Sequence, residues 1–128
     1  MRFHVLTIFP EVFPGPLGVG VVGRALQSGG ISLTVHDLRD HTDNRHRQVD
    51  DTQFGGGAGM VMKPEPLIRA VRKLRAAEPG LRTVLLSPQG RLFTQDVARE
   101  LAGDEDQRLA GRDHNVRVEN APVERSLK

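Results

Sequence analysis

This chain of 128 residues contains no cysteine, tryptophan or tyrosine. The missing thiols exclude a disulfide framework, thiolate metal sites and cysteine nucleophiles. With five phenylalanines as its whole large-aromatic content, a core must rest on Leu, Val and Ile. No apolar run approaches the roughly 18 residues of a membrane span, and the N-terminus lacks the charged-then-apolar layout of a secretory signal. These absences lead us to expect a soluble cytoplasmic protein with no membrane partner. Neither sign of charge dominates, the formal net charge being +2, so nucleic-acid binding is allowed and not demanded. The length fits one domain or part of one and is enough to bury a core without disulfides or metal.

What is present reads as alternating strands and helices. Phe3, Val5, Leu6 and Ile8 suit a mostly buried first strand, and Phe9-Pro10 ends it. Pro10 to Phe13 looks like a helical turn with proline early and an acid behind it. Val22, Ala25 and Leu26 share one helical face within Val19 to Ser28, and Gly29-Gly30 stops that helix. Ile31, Leu33 and Val35 alternate with polar residues, the mark of a strand with one polar face. Pro64 and Pro66 mark the start of another helix. In it Leu67, Ile68, Val71 and Leu74 face Arg69, Arg72, Lys73 and Arg75, a basic face that in most proteins is simply solvated. Thr83-Val84-Leu85-Leu86 is a short apolar run, as expected of a strand buried on both faces of a parallel sheet. Thr94 is a good N-cap for a helix containing Val97 and Leu101. This order predicts an α/β layered domain with a parallel sheet.

Residues 39–60 break the pattern. Arg39 to Arg47 is almost wholly polar, and four of the six residues from Gly55 to Met60 are glycine. A stretch this long without periodicity inside a folded region is usually functional or disordered. Clustered glycines favour function, because they let backbone approach a ligand. A phosphate-binding P-loop would need Lys and Ser or Thr after the last glycine, where this chain has Met60-Val61-Met62. A dinucleotide fingerprint would need the glycines directly after a strand. Both motifs are therefore absent. His46 and Asp50, four apart, could be a base with its orienting acid or a pair of metal ligands, but no third ligand is in view and metal is not expected. Ser87-Pro88-Gln89-Gly90, at the carboxyl end of a strand, is either an ordinary turn or a place where main-chain groups hold a flat ring.

Several of these segments occur together in order: Ile8-Phe9-Pro10-Glu11-Val12-Phe13, Gly23-Arg24-Ala25, Leu38-Arg39-Asp40, Arg45 to Asp51, Gly55 to Met60 and Leu86 to Gly90. In them residues 1–102 resemble the N-terminal part of the bacterial tRNA (guanine-N1)-methyltransferases, a trefoil-knotted (SPOUT) family of homodimers dependent on S-adenosylmethionine. The resemblance implies methylation of the guanosine just 3′ of the anticodon in tRNA. It implies that Leu86, Ser87, Pro88 and Gly90 belong to the first loop around the cofactor's adenosine. It assigns Arg24, His46, Asp50 and the loop of Gly55, Gly56, Gly57 and Gly59 to the surface for tRNA and the dimer partner. There Arg24 and Arg45-His46-Arg47 would pair with phosphates.

Residues 103–128 depart from that pattern. Eleven of these 26 residues are charged, and a divergent, partly disordered tail is expected. Where the family's second cofactor loop reads Gly-Arg-Tyr-Glu-Gly, Gly111-Arg112 is followed by Asp113-His114-Asn115; of that loop the resemblance carries over Gly111 as a cofactor residue. The third cofactor loop and the catalytic arginine and aspartate have no counterpart. The expectations are thus an incomplete knot, no catalytic residue in this chain, and a truncated reading frame with little or no turnover alone. Two other outcomes are a non-catalytic fragment that binds RNA or pairs with full-length subunits, and a marginally stable product with no role.

Overall fold

Met1–Pro79 forms one structural unit and the chain from Gly80 a second. The computed structural model describes residues 1–102 and 117–119.

In the first unit, Arg2–Thr7 forms β1 and Ser32–Asp37 forms β2. They pair in parallel, with Arg2 opposite Ser32 and Thr7 opposite Asp37. A parallel pair needs a crossover, and residues 8–31 supply it. They contain a 3-10 turn at Pro10–Val12, the short helix α1 at Pro14–Leu17, and α2 at Gly20–Gln27. Gly29, at φ +73°, follows the end of α2, in keeping with the stop expected from Gly29-Gly30.

The end of β2 is capped by its own last side chain. The Asp37 carboxylate accepts the Arg39 N–H at 2.9 Å and starts a 3-10 helix over Leu38–His41. Leu38 is only 1% exposed, and with Val49 and Ala70 it centres the core, against which Leu6, Ile8 and Leu67 pack. Ala70 belongs to α3, Pro64–Ala77, whose early prolines fit a first turn where the N–H groups lack partners in any case. Each large apolar side chain fully buried in such a core contributes about 1.5–3 kcal/mol, so this small cluster is the unit's main tertiary anchor.

The segment expected to lack regular structure contains more than a loop. Asp50–Thr52 (β3) and Met60–Met62 (β4) pair antiparallel, Asp50 opposite Met62, and make a hairpin with the glycines at its tip. Three-residue strands are too short for alternation to register, which is why the pattern does not announce them.

The second unit holds β5 (Leu85–Ser87), β6 (Arg91–Leu92), α4 (Gln95–Ala102) and β7 (Arg117–Glu119). The order β5-β7-β6 is antiparallel throughout. The chain is therefore α/β with a parallel β1/β2 pair, and the expectation of a doubly buried parallel strand at Thr83–Leu86 is not met. Leu85 and Leu86 are 41% and 69% exposed. An apolar run reports the preference of its side chains, and burial needs layers on both faces, which the described residues do not supply. As expected, Thr94 caps α4, its hydroxyl accepting the Val97 N–H at 3.4 Å. Within the stretch expected as a tail, Arg117–Glu119 forms β7; the remainder of 103–128 lies outside the described residues.

Candidate functional site

The glycine hairpin is built on dihedral angles. Gly55, Gly56, Gly57 and Gly59 have φ of +87°, +78°, +131° and +106°, values that L side chains rarely adopt. A Cβ at Gly55 or Gly56 would meet nothing within 4 Å, so these glycines are needed for conformation and not for space. Gln53 braces the tip. Its carbonyl accepts the Gly56 N–H at 3.3 Å, and its side-chain amide donates to the Ala58 carbonyl at 3.3 Å. Phe54 stands fully exposed beside the glycines, and Met60, Val61 and Met62 are exposed behind it. An exposed ring beside open backbone can stack on a nucleobase, a contact worth about 1–3 kcal/mol. The sequence patterns above do not single out Phe54; the signal was one of five aromatics placed in a polar, glycine-rich stretch.

The base of the hairpin is fixed electrostatically and through backbone. The Lys63 N–H donates to the Val49 carbonyl at 2.7 Å, and its ammonium lies 3.3 Å from Asp51. The Thr52 N–H and then Lys63 hold the Asp51 carboxyl below its usual range, which favours its ionised form. Next to this base lies an open cleft of about 150 Å³, lined by residues that include Asn44, Gln48, Lys63 and Arg69. That is below the roughly 300–1,000 Å³ of small-molecule pockets.

His46 is exposed in the turn that leads to the hairpin, and Asp50 is half-buried at the start of β3. Neither a hydrogen bond nor an ion pair joins them among the described residues, and no group of three His, Cys, Asp or Glu there could hold a metal ion. Arg24, exposed on α2, and Arg45 make no ion pair among the described residues. Arg47 differs from both: its guanidinium bonds Asp40 and lies 3.6 Å from Asp37. Arg69 is likewise paired, with Asp43. Of the basic groups read from the sequence, some cations are thus already occupied within the protein.

In the second unit Leu86 and Ser87 end β5, and Pro88 to Gly90 turn away from it. The Gly90 N–H donates to the Ser87 carbonyl at 3.2 Å, and the Gln89 N–H to the Ser87 hydroxyl at 3.2 Å. Gly90 is buried. Arg91, the next residue, pairs with Glu100 of α4 at 2.7 Å. That contact raises the pKa of Arg91 and lowers that of Glu100, which keeps both charged. A rigid turn beside an exposed leucine results. Gly111 lies outside the described residues. Among those described, no helix is long and apolar enough to cross a membrane.

The fold class comes from a solved structure, the tRNA (m1G37) methyltransferase from Aquifex aeolicus. It superposes with a TM-score of 0.69 at 33% sequence identity, covering 80% of this chain and 46% of that one. The model of the tRNA (guanine-1)-methyltransferase family, TrmD, matches residues 1–115, and the chain belongs to that family. A tRNA (guanine-N(1)-)-methyltransferase of Chloroflexus aggregans is 56% identical over 103 residues, which are 80% of this chain and 40% of that protein. The enzyme of the same name from Oleidesulfovibrio alaskensis is 47% identical over 128 residues, 97% of this chain and 29% of its own length. The chain thus spans about 40% of the length of curated relatives such as the Chloroflexus enzyme.

Proposed function

We propose that this chain carries the tRNA-facing portion of an S-adenosylmethionine-dependent tRNA (guanine-N1)-methyltransferase. The nucleotide modified is the guanosine 3′ of the anticodon, and the working form is a cytoplasmic homodimer. The observation that carries this reading is the hairpin of residues 50–62, where four positive-φ glycines and an exposed phenylalanine offer open backbone and a stacking face together. An everted guanine is read by such groups, through hydrogen bonds to its edge and stacking on its face. Arg24 and Arg45 serve phosphates, which positions the tRNA without reading sequence. His46 and Asp50 flank the entry to the hairpin as polar partners for the substrate.

S-adenosylmethionine, when bound, supplies an electrophilic methyl group. Leu86, Ser87, Pro88 and Gly90 would hold its adenosine end. The fit rests on the 69% exposure of Leu86, apolar area for a flat ring, beside a turn whose N–H groups are already satisfied internally. Guanine N1 must lose a proton for methylation, and a carboxylate near the reacting atom is suited to accept it. Asp51 already accepts the Thr52 N–H at 2.9 Å and pairs with Lys63 at 3.3 Å, and the resemblance gives it no part in this step. The arginine and aspartate that the family resemblance assigns to catalysis match no residue of this chain. Turnover by the 128 residues alone is therefore little or none.

A second reading is a non-catalytic RNA-binding or dimer-partner piece. Val19 and Val21, 69% and 73% exposed at the start of α2, favour it, because apolar surface left open is suited to a partner. One experiment tests the tRNA-facing reading and the prediction of inactivity together. The purified chain is incubated with radiolabelled S-adenosylmethionine and unmodified tRNA, and tRNA retention is measured in the same samples. Retention with little methyl transfer is the expected result. Robust transfer overturns the prediction of inactivity, and absence of salt-sensitive retention overturns the tRNA-facing reading.

A further inference from the structure

Arg47 is the sole non-glycine among the described residues with positive φ, at +52°. Every other positive φ there belongs to glycine, the residue that adopts it without steric cost. A non-glycine held in that region persists where the surroundings over-determine it, and Arg47 is held at three points. Its N–H donates to the Asn44 carbonyl at 3.0 Å, within a turn closed again by the Gln48 N–H on Asn44 Oδ1 at 2.8 Å. Its guanidinium donates to Asp40 and lies 3.6 Å from Asp37 Oδ2. Asp37 is in turn fixed to the Arg39 N–H at 2.9 Å, and the Arg39 guanidinium donates to the Ile8 carbonyl just past β1. The network thus runs from the carboxyl ends of β1 and β2 to the turn that bears His46. Two residues on, Val49 is buried in the core at 3% exposure, and β3 begins.

We propose that Arg47 is a positioning residue. It fixes the 44–48 turn, and with Val49 it sets where His46 and Asp50 stand relative to the hairpin; it does not serve as a phosphate ligand. This deepens the tRNA-facing reading above and rests on it. A guanidinium shared between two carboxylates has its charge offset locally, so a phosphate must compete with Asp37 and Asp40, both of which engage Arg47 Nη2. Arg45, two residues earlier and without an ion pair among the described residues, keeps its charge available.

The test compares Arg47→Gln, Arg45→Gln and Asp40→Asn in two measurements on the full chain. In tRNA binding against salt concentration, a lost phosphate contact lowers the logarithmic slope by about one. We expect Arg45→Gln to do this, and Arg47→Gln to weaken binding at an unchanged slope. Asp40→Asn separates the two roles. It weakens binding if Arg47 positions the turn, and tightens it if Arg47 is a phosphate ligand held back by Asp40. Amide hydrogen exchange over residues 44–52 is the second measurement and needs no tRNA. It should quicken about fivefold in Arg47→Gln and in Asp40→Asn, the upper end for an exposed ion pair, and stay unchanged in Arg45→Gln. Unchanged exchange in Arg47→Gln overturns the proposal. Loss of tRNA binding by the unaltered chain overturns the tRNA-facing reading, while the exchange data still decide the role of Arg47 in the turn.

Discussion

Gly23 lies buried in α2, one residue before Arg24. A Cβ built there would sit 2.3 Å from the Gly18 carbonyl oxygen and 2.5 Å from the Gly18 carbonyl carbon. Carbon contacts in protein interiors settle near 3.5–4.0 Å, so the overlap exceeds an ångström and falls on backbone. No rotamer change relieves it, and α2 must move away from the turn after α1. Overpacking of this kind costs about 1–3 kcal/mol. Replacing an interior helical glycine returns roughly 0.5–1 kcal/mol. An overlap that falls on backbone belongs in the upper part of that range, about 2–3 kcal/mol, so the net expectation for Gly23→Ala is a loss of about 1–2.5 kcal/mol, together with displacement of Arg24. Gly30→Ala is the control: its nearest contacts would be ordinary ones at 3.6 Å. It should be neutral or gain up to about 1 kcal/mol by restricting the unfolded chain. Urea unfolding reads both. With a slope of about 1–3 kcal/mol/M for a small protein, Gly23→Ala lowers the midpoint on the order of 1 M and Gly30→Ala does not. A Gly23→Ala midpoint equal to or above the unaltered chain's refutes the packing argument and the account of why glycine precedes Arg24.

Leu38→Ala empties the centre of the first unit's core, and about 2–5 kcal/mol is lost for such truncations; calorimetry should find its cooperative transition lowered or gone. Burial, with nearby His4 next and His41 and Lys73 adding, holds the His36 imidazole below its usual range. A folded-state pKa below the unfolded value of about 6.5 leaves stability level above that pH and erodes it as pH falls through 6.5 toward the folded value. Thermal midpoints between pH 8 and pH 5.5 should therefore drop more steeply in the unaltered chain than in His36→Gln, and parallel profiles would remove His36 from the acid response. Thr94→Ala takes away the cap of α4 and should cost about 1 kcal/mol, read as faster amide exchange at Val97 and Ala98.

The elements bounded by strong local chemistry were legible in the chain. Thr94 before α4, Pro64 and Pro66 at the head of α3, Gly29 after α2, and the alternation through Ile31, Leu33 and Val35 each act within a few residues. What escaped depends on neighbours distant in sequence. The three-residue arms of the hairpin and the two-residue β6 are too short to carry a period. The exposure of Leu85 and Leu86 reflects which layers cover them. The glycines and the charged run before them singled out the segment that folds as the hairpin, the candidate site. The occupation of Arg47 by Asp37 and Asp40 could not be read from composition, because a charge pattern does not tell which cation is already paired.

The claim on which the account turns is that the hairpin tip receives tRNA. The direct measurement is equilibrium binding of unmodified tRNA, at fixed salt, to the unaltered chain and to Gly57→Val. Gly57 sits at φ +131°, where a β-branched residue forces the tip into another path, away from the core. The expected result is a loss of affinity of about 5- to 150-fold with an unchanged unfolding midpoint, the reach of the roughly 1–3 kcal/mol of one stacked base. Equal affinity in the two proteins would contradict it.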